Sequence, residues 1–368
     1  MCGYSVVRPF PKDKKCPRCN NFLSSLYDNI ESEVKTQPKE FITKTSTVSS
    51  KLQGKVKVKK KEQDIPIEGG KIKLKKGEYI KLIGVTTLNR IPLYYSNLKY
   101  VYFLELTNNL DFIATSILSG ELDKMALVSQ DTGQIEKIQF NVKEGIIYLV
   151  YGVFPDKKGK WILEQMQKHF SELIKGKNVD NLPKLEKHQI KSKFDGIIKF
   201  ILKEYLKLQD VFSDQDIPYV EDKLKILYFG LSSRSIGVIS LLFEGELNID
   251  IPGNFEDPNE IADMKESLLT AKIEAIAANT LGNTGAMPRW IAVKLGFQNY
   301  RFLTFQALEN HYYASYLSEG NLGKLDRVEQ EIEPILNHVT DTPFSGNLKP
   351  FNRLRLTILD KLIKSREF

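Results

Sequence analysis

The order of predicted elements occurs twice along this chain, and this repeat constrains the fold more than any other sequence feature. Over residues 79–175 the hydrophobic pattern predicts two strands, a helix, three strands and a closing helix. The same order, β-β-α-β-β-β-α, returns over residues 223–339 with different side chains, roughly 145 residues later. We therefore predict an α/β fold of the α+β type, in which two five-stranded antiparallel sheets each carry flanking helices.

Turn and cap residues mark where several of these elements begin and end. Asn89 and Arg90 predict the turn of the first hairpin, and Gly120 predicts a stop for the helix that follows it. In the second repeat, Asp257 and Pro258 predict the start of a long helix, and Gly282 predicts its end.

The rest of the chain divides by composition and periodicity. A further amphipathic helix, at 194–212, is expected to lead into the second repeat. The predicted segments are a zinc knuckle (1–22), a basic linker with a hairpin (23–76), two domains (77–178 and 194–340) and a C-terminal amphipathic helix (349–368). The apolar stripe of that last helix suits either packing on the second domain or binding at a membrane surface.

The positive charge of the chain is concentrated at its N-terminal end. Residues 1–76 contain 18 Lys and Arg against 8 Asp and Glu, although the whole chain carries a net charge of only +7. A basic arm suits an anionic partner such as nucleic acid or a membrane surface, and it equally suits a solvated linker.

All three cysteines lie within the first 19 residues. Cys16 and Cys19 have the CxxC spacing of a zinc knuckle, and Cys2 lies where the second cysteine of another knuckle would fall. We expect a structural zinc ion held by these thiolates, because so short a segment has no core of its own. Unbound surface thiols are the alternative, and a thioredoxin-like redox pair is disfavoured because no βαβ pattern surrounds it.

A closed zinc site needs a fourth ligand that the printed sequence does not place beside the other three. One explanation is that the natural chain starts earlier and has a cysteine just upstream of Met1. The other is a three-thiolate site completed by water, the terminal amine or a partner.

Basic residues near the knuckle suggest a second type of partner. The linker carries lysines that can meet phosphates, namely Lys57, Lys59, Lys60, Lys61, Lys71, Lys73, Lys75 and Lys76. Few aromatic residues are interspersed to stack on bases, so the composition favours non-specific binding of nucleic acid over sequence readout.

Familiar catalytic motifs are missing from the sequence. It contains no Walker-type loop, no GxSxG, no HExxH and no protein-kinase motif set, and we predict that the protein is not an enzyme. No apolar run reaches the roughly 20 residues of a membrane span, and the N-terminus has no apolar signal core. A cytoplasmic protein, peripheral at a membrane at most, is expected.

The repeated order resembles the roadblock/longin superfamily, whose plan is a five-stranded antiparallel sheet with one helix between strands two and three and another after strand five. The segments "IGVTTLNRIPLYYS" and "DKMALVSQDTGQIEKIQFNVKEGIIYLVYGV" are similar to the strand-turn-strand segments of those domains. The helix at 194–212 resembles the extra first helix of roadblock-type members.

The resemblance implies an interaction platform that binds or regulates a Ras-like small GTPase, as an exchange-factor or scaffold component in membrane trafficking. It implies that the two domains pair with each other as an internal pseudo-dimer, with a second copy as a homodimer, or with another roadblock/longin protein. The GTPase would then lie on the composite surface of a pair. The superfamily has no invariant motif, so the resemblance assigns no nucleotide-contacting residue in this chain.

Overall fold

In the computed structural model of this protein, twelve strands of the described residues join into one antiparallel sheet. The structure describes residues 67–68, 71–75, 77–129, 133–208, 223–233, 236–243, 247, 249, 251 and 257–365. These residues all belong to a single structural unit, Gln63–Phe368.

The strands and helices are numbered in chain order. The strands are β1 (Ile67–Glu68), β2 (Lys71–Lys73), β3 (Tyr79–Thr87), β4 (Pro92–Tyr95), β5 (Glu121–Ser129), β6 (Ile135–Lys143), β7 (Ile146–Val153), β8 (Leu224–Ser233), β9 (Ile236–Leu242), β10 (Ala286–Gly296), β11 (Asn299–Ala307) and β12 (Tyr312–Gly320). The α-helices are α1 (Tyr102–Ser116), α2 (Asp156–Ile174), α3 (Lys184–Lys207), α4 (Pro258–Thr284), α5 (Leu322–Thr340) and α6 (Lys349–Ser365).

The order of strands across the sheet is the same in both halves of the described chain. The first half runs β4-β3-β7-β6-β5 from its outer edge inward, and the second runs β9-β8-β12-β11-β10. In each half the third strand in sequence therefore lies at the inner edge and the second at the outer edge. The predicted element order β-β-α-β-β-β-α is present in both halves.

The two halves do not form separate sheets, which corrects the expectation of two. Strands β5 and β10 pair antiparallel, with Trp290 opposite Ala126 and Ala292 opposite Lys124. Gly120 lets the backbones approach here, because a Cβ at that position would lie 2.6 Å from the carbonyl oxygen of Lys294. Each inner edge thus finds its partner in the other half, and edge-to-edge pairing satisfies the backbone groups that each would otherwise expose.

The helices cover the two faces of this sheet differently. Helices α1 and α4 lie together on one face and share a hydrophobic cluster that draws on both halves, including Leu104, Met125 and Ile273. Helices α2 and α3 cover the first half of the opposite face, and α5 and α6 cover its second half. Strand β7 passes between two of these layers, which explains its almost continuously apolar and buried sequence.

Helix α3 begins earlier than the sequence indicated and packs on the first half. It starts at Lys184, directly after Pro183 and ten residues before the predicted start at 194, and it runs to Lys207. Its Phe194 ring lies 4.8 Å from that of Tyr94 and 4.8 Å from that of Phe170 on α2. The helix expected to lead the second repeat therefore completes the core of the first.

Helix α6 turns its apolar stripe inward. Phe351, Leu354, Ile358 and Leu362 are buried in the cluster shared with α5, so packing explains the stripe predicted for the C-terminal helix. Within the described part of the chain, none of the helices combines the length and apolar character that crossing a bilayer requires.

The predicted hairpin of the basic linker is confirmed where the structure describes it. Ile67 pairs with Ile72 and Glu68 with Lys71, which forms the antiparallel ladder of β1 and β2. Strand β2 also pairs with β3, through Ile72 and Ile80, so the hairpin extends the outer edge of the first half.

Candidate functional site

The cysteines predicted to bind zinc are not positioned by the structure. Cys2, Cys16 and Cys19 lie outside the described residues. Among the residues that are described, no three His, Cys, Asp or Glu side chains group together in a way that could hold a metal ion. The zinc site remains a prediction from the CxxC spacing.

The described residues do form a trough across the joint between the two halves. It lies between α2 and α5, on the face of the sheet opposite α1 and α4, and β5 and β10 form its floor. One cavity in it has a volume of about 810 Å³ and is lined by both halves. The apolar lining includes Val128, Ile135 and Phe154 from the first half and Trp290 and Leu322 from the second.

Ion pairs attach the start of α2 to the floor of the trough. Lys124 on β5 and Lys137 on β6 both pair with the carboxylate of Asp156, the first residue of α2. The neighbouring Gln139 donates from Nε2 to the backbone carbonyl of Asp156 at 3.2 Å. An acidic side chain suits the positive end of a helix dipole, so Asp156 stabilises the helix start while pairing with two lysines, and the three side chains together keep a net positive charge.

A cluster of carboxylates lies on the α5 side of the trough. Glu329 accepts a hydrogen bond from Thr304 Oγ1 at 3.1 Å, and Glu333 accepts one from Gln306 Nε2 at 3.0 Å. Burial raises the pKa of the Glu329 carboxyl to about 7, and the negative charges of Asp326 and Glu333 act in the same direction. The hydrogen bond from Thr304 opposes this rise.

The two walls of the trough therefore differ in charge and in chemistry. Two lysines paired with the single carboxylate of Asp156 lie on the α2 side, while partly buried acids lie on the α5 side. The described residues that line the cavity include no serine, cysteine or histidine. An apolar lining with charged groups of both signs at its margin suits the docking of a partner surface.

The sequence analysis located the strands of the trough but not the trough itself. A signal was present in the polar residues Lys124, Lys137, Gln139 and Thr304, which have apolar neighbours in β5, β6 and β11. Alternation places such residues on one face of a strand. Recognising them as one site requires knowing that β5 and β10 are neighbours, and only the assembled sheet shows this.

Comparison with known proteins assigns no family to this chain. No family model matches it, and a search of curated proteins finds no match.

Proposed function

We propose that this protein is a non-catalytic interaction platform that binds or regulates a Ras-like small GTPase in a trafficking-type assembly at a membrane. The observation that carries the proposal is that both halves of one continuous sheet line a single trough. A composite surface of this kind is what pairing of roadblock/longin domains is expected to supply, and the repeated strand order supports their presence here.

The composition of the trough agrees with protein docking. Ile135 is a 47% exposed apolar side chain at its rim. The basic residues Arg289 and Lys137 lie beside it, and the acidic residues Asp326 and Glu329 lie on the facing helix. An apolar centre with charges of both signs at its margin is typical of a transient protein interface.

A pull-down with the full chain against small GTPases, loaded with GDP or with a GTP analogue, tests this proposal. We expect enrichment of one GTPase, and we expect Ile135→Asp and Arg289→Glu each to weaken it at least tenfold. Leu185→Asp on α3 is the matched control, because Leu185 is 72% exposed and lies outside the trough lining. Failure of every GTPase to bind in both nucleotide states would overturn the proposal.

The excess positive charge of residues 1–76 favours a second candidate, a zinc-dependent nucleic-acid-binding protein. Removal of residues 1–66 separates the two, because it deletes the CxxC segment and most of the lysines while keeping β1 and β2. We expect the shortened chain to retain GTPase binding under the first proposal. Under the second, it loses a salt-dependent affinity for nucleic acid that the full chain shows.

A further inference from the structure

Strand β9 is the last strand of the sheet in the second half, and within the described chain only β8 pairs with it. The Phe243 amide donates to the Leu227 carbonyl on the inner side, at 2.9 Å. The neighbouring Leu242 amide instead donates outward to Glu266 Oε2 of α4, at 3.0 Å. Because amides alternate in direction along a strand, the N–H and C=O of Ser240 also face outward, where they are available to another strand.

A slot runs along this outer edge. It has a volume of about 340 Å³ and is lined by β9 residues, by Ser267, Thr270, Ala271 and Glu274 of α4, and by Phe351, Asn352 and Arg355 of α6. Gly237 allows α4 to lie close to the strand, because a Cβ there would be 2.8 Å from Glu274 Oε1 and 2.9 Å from Thr270 Cγ2. Backbone groups of an edge strand therefore lie between two walls of side chains.

The charge of the slot indicates what it accepts. Glu274 is partly buried and accepts a hydrogen bond from Ser232 Oγ at 2.8 Å, but no described residue supplies it with an ammonium or guanidinium group. Arg355 reaches across to Glu266 instead, at 3.4 Å. Glu266 also accepts a hydrogen bond from Ser240 Oγ at 2.6 Å, so the side chains of Ser240, Glu266 and Arg355 are engaged with one another near the Leu242 end of the edge. The backbone N–H and C=O of Ser240 still face outward, and Glu274 is the carboxylate beside them that has no basic partner among the described residues.

We propose that β9 is a docking strand for an extended segment of a partner protein, which adds to the sheet beside Ser240 and directs a lysine or arginine side chain to Glu274. Main-chain hydrogen bonds supply affinity in this mode of binding, and the ion pair selects the sequence. The proposal does not depend on GTPase binding at the trough, since none of the residues that line one site line the other.

Fluorescence anisotropy with the full chain tests this inference. The probe is a fluorescein-labelled, capped nonapeptide of alternating valine and lysine, and its comparison is the same peptide with glutamate in place of lysine. We expect the lysine peptide to bind at least tenfold more tightly than the glutamate peptide. Two further peptides carry N-methyl groups on the backbone, one at every valine and the other at every lysine. Because backbone amides alternate in direction along a strand, each peptide can no longer donate hydrogen bonds from one of its two edges. We expect one of the two to bind at least ten times more weakly than the unmethylated lysine peptide.

Two variants locate the binding on the protein. We expect Glu274→Gln and Ser240→Pro each to weaken the lysine peptide at least tenfold, and thermal unfolding verifies that both fold. Proline at 240 removes no bond to β8, because that amide faces outward, but it does remove the hydrogen bond from Ser240 Oγ to Glu266. Ser240→Ala removes the same side-chain bond while keeping the amide, and it should bind as the parent chain does. Glu260→Gln, on the same helix but outside the slot lining, is the control and should bind as the parent chain does.

Equal binding by both N-methylated peptides, or unchanged binding by Glu274→Gln, would overturn the proposal in favour of non-specific charge attraction. The proposal would also be overturned if the chain does not bind the peptide but forms a dimer in gel filtration, and if Ser240→Pro dissociates that dimer. That result would assign the edge to a second copy of the chain.

Discussion

Arg301 in the second half donates a hydrogen bond from Nη1 to the backbone carbonyl of Leu118 in the first half, at 2.7 Å. The same guanidinium donates from Nε to Glu319 Oε1, also at 2.7 Å, and the side chain is buried. Leu118 follows the end of α1, where the helix dipole favours a cation. One arginine thus links the halves at a point separate from the β5 and β10 ladder.

Replacement of Arg301 by methionine should destabilise the fold. The variant leaves the carboxylate of Glu319 without its partner and removes the donor to the Leu118 carbonyl. We expect the free energy of unfolding to fall by about 2–4 kcal/mol, measured by urea denaturation. Arg327→Met, at an exposed position of α5, should change it by less than about 0.5 kcal/mol. Equal effects of the two substitutions would contradict the structural role assigned to Arg301.

Two glycines within helices should respond in opposite directions to alanine. Gly159 of α2 packs against Gln139 and Phe154, so a Cβ there collides with both, whereas a Cβ at Gly196 of α3 meets nothing within 4 Å. We expect Gly159→Ala to lower the free energy of unfolding by about 1–3 kcal/mol. Gly196→Ala should raise it by about 0.5–1 kcal/mol, through helix propensity. Thermal and urea unfolding measure both changes, and a stabilising Gly159→Ala would show that α2 packs less closely than described.

The carboxyl of Glu329 should make stability depend on pH. Its pKa rises from an ordinary value of 4.5 to about 7 on folding, so the native state binds the proton more tightly than the unfolded chain does. The resulting stabilisation is fully present below pH 4.5 and is lost as the pH rises through about 7. At pH 8 we therefore expect Glu329→Gln to be more stable than the parent chain, by about 1–3 kcal/mol.

The same comparison at pH 4 should show little difference, because Glu329 is then protonated in both the native and the unfolded chain. Glu331→Gln on the same helix is the control, since Glu331 is exposed and should give a small effect at both pH values. Urea denaturation across this pH range gives the comparison, and parallel stability curves for Glu329→Gln and the parent would refute the prediction.

Zinc content tests the N-terminal prediction. If Cys2, Cys16 and Cys19 bind zinc, the purified chain should contain about one zinc ion per molecule by atomic emission. Cys16→Ser should lose most of it, because serine is a poor ligand for zinc at neutral pH, whereas Ser25→Ala should retain it. A chain without zinc, or one whose zinc survives Cys16→Ser, would indicate that these thiols are unbound.

Local chemistry predicted the start of α4 correctly and its end incorrectly. Asp257 accepts a hydrogen bond from the Asn259 amide and Pro258 begins the helix, as expected. The helix does not stop at Gly282 but continues to Thr284, and Gly285 ends it with a φ of +62°. Glycine is tolerated inside a helix, so the residue type alone cannot show which of two nearby glycines adopts the left-handed conformation.

The pairing of β5 with β10 also could not be predicted from local sequence, because a residue type alone does not show its partner. Gly120 is predicted as a helix stop, and its amide does donate to the Ala114 carbonyl in the last turn of α1, at 2.9 Å, although the helix itself ends at Ser116. Its second role, permitting the approach of Lys294 on β10, was not predicted. The sequence of an inner-edge strand shows the alternation of polar and apolar residues, but it does not show which other strand pairs with that edge. The trough could not be foreseen for the same reason, although the elements that form it were.

Because the two walls of the trough come from unlike repeats, its approximate twofold symmetry is broken by chemistry. A symmetric dimer of identical chains would offer a binding partner two equivalent orientations related by a twofold rotation. Here the lysine and aspartate side differs from the carboxylate side, so under the proposed function a partner would have one preferred orientation and would bind in a ratio of one to one. The joint between the halves is therefore repeated in its strand order but not in its side chains.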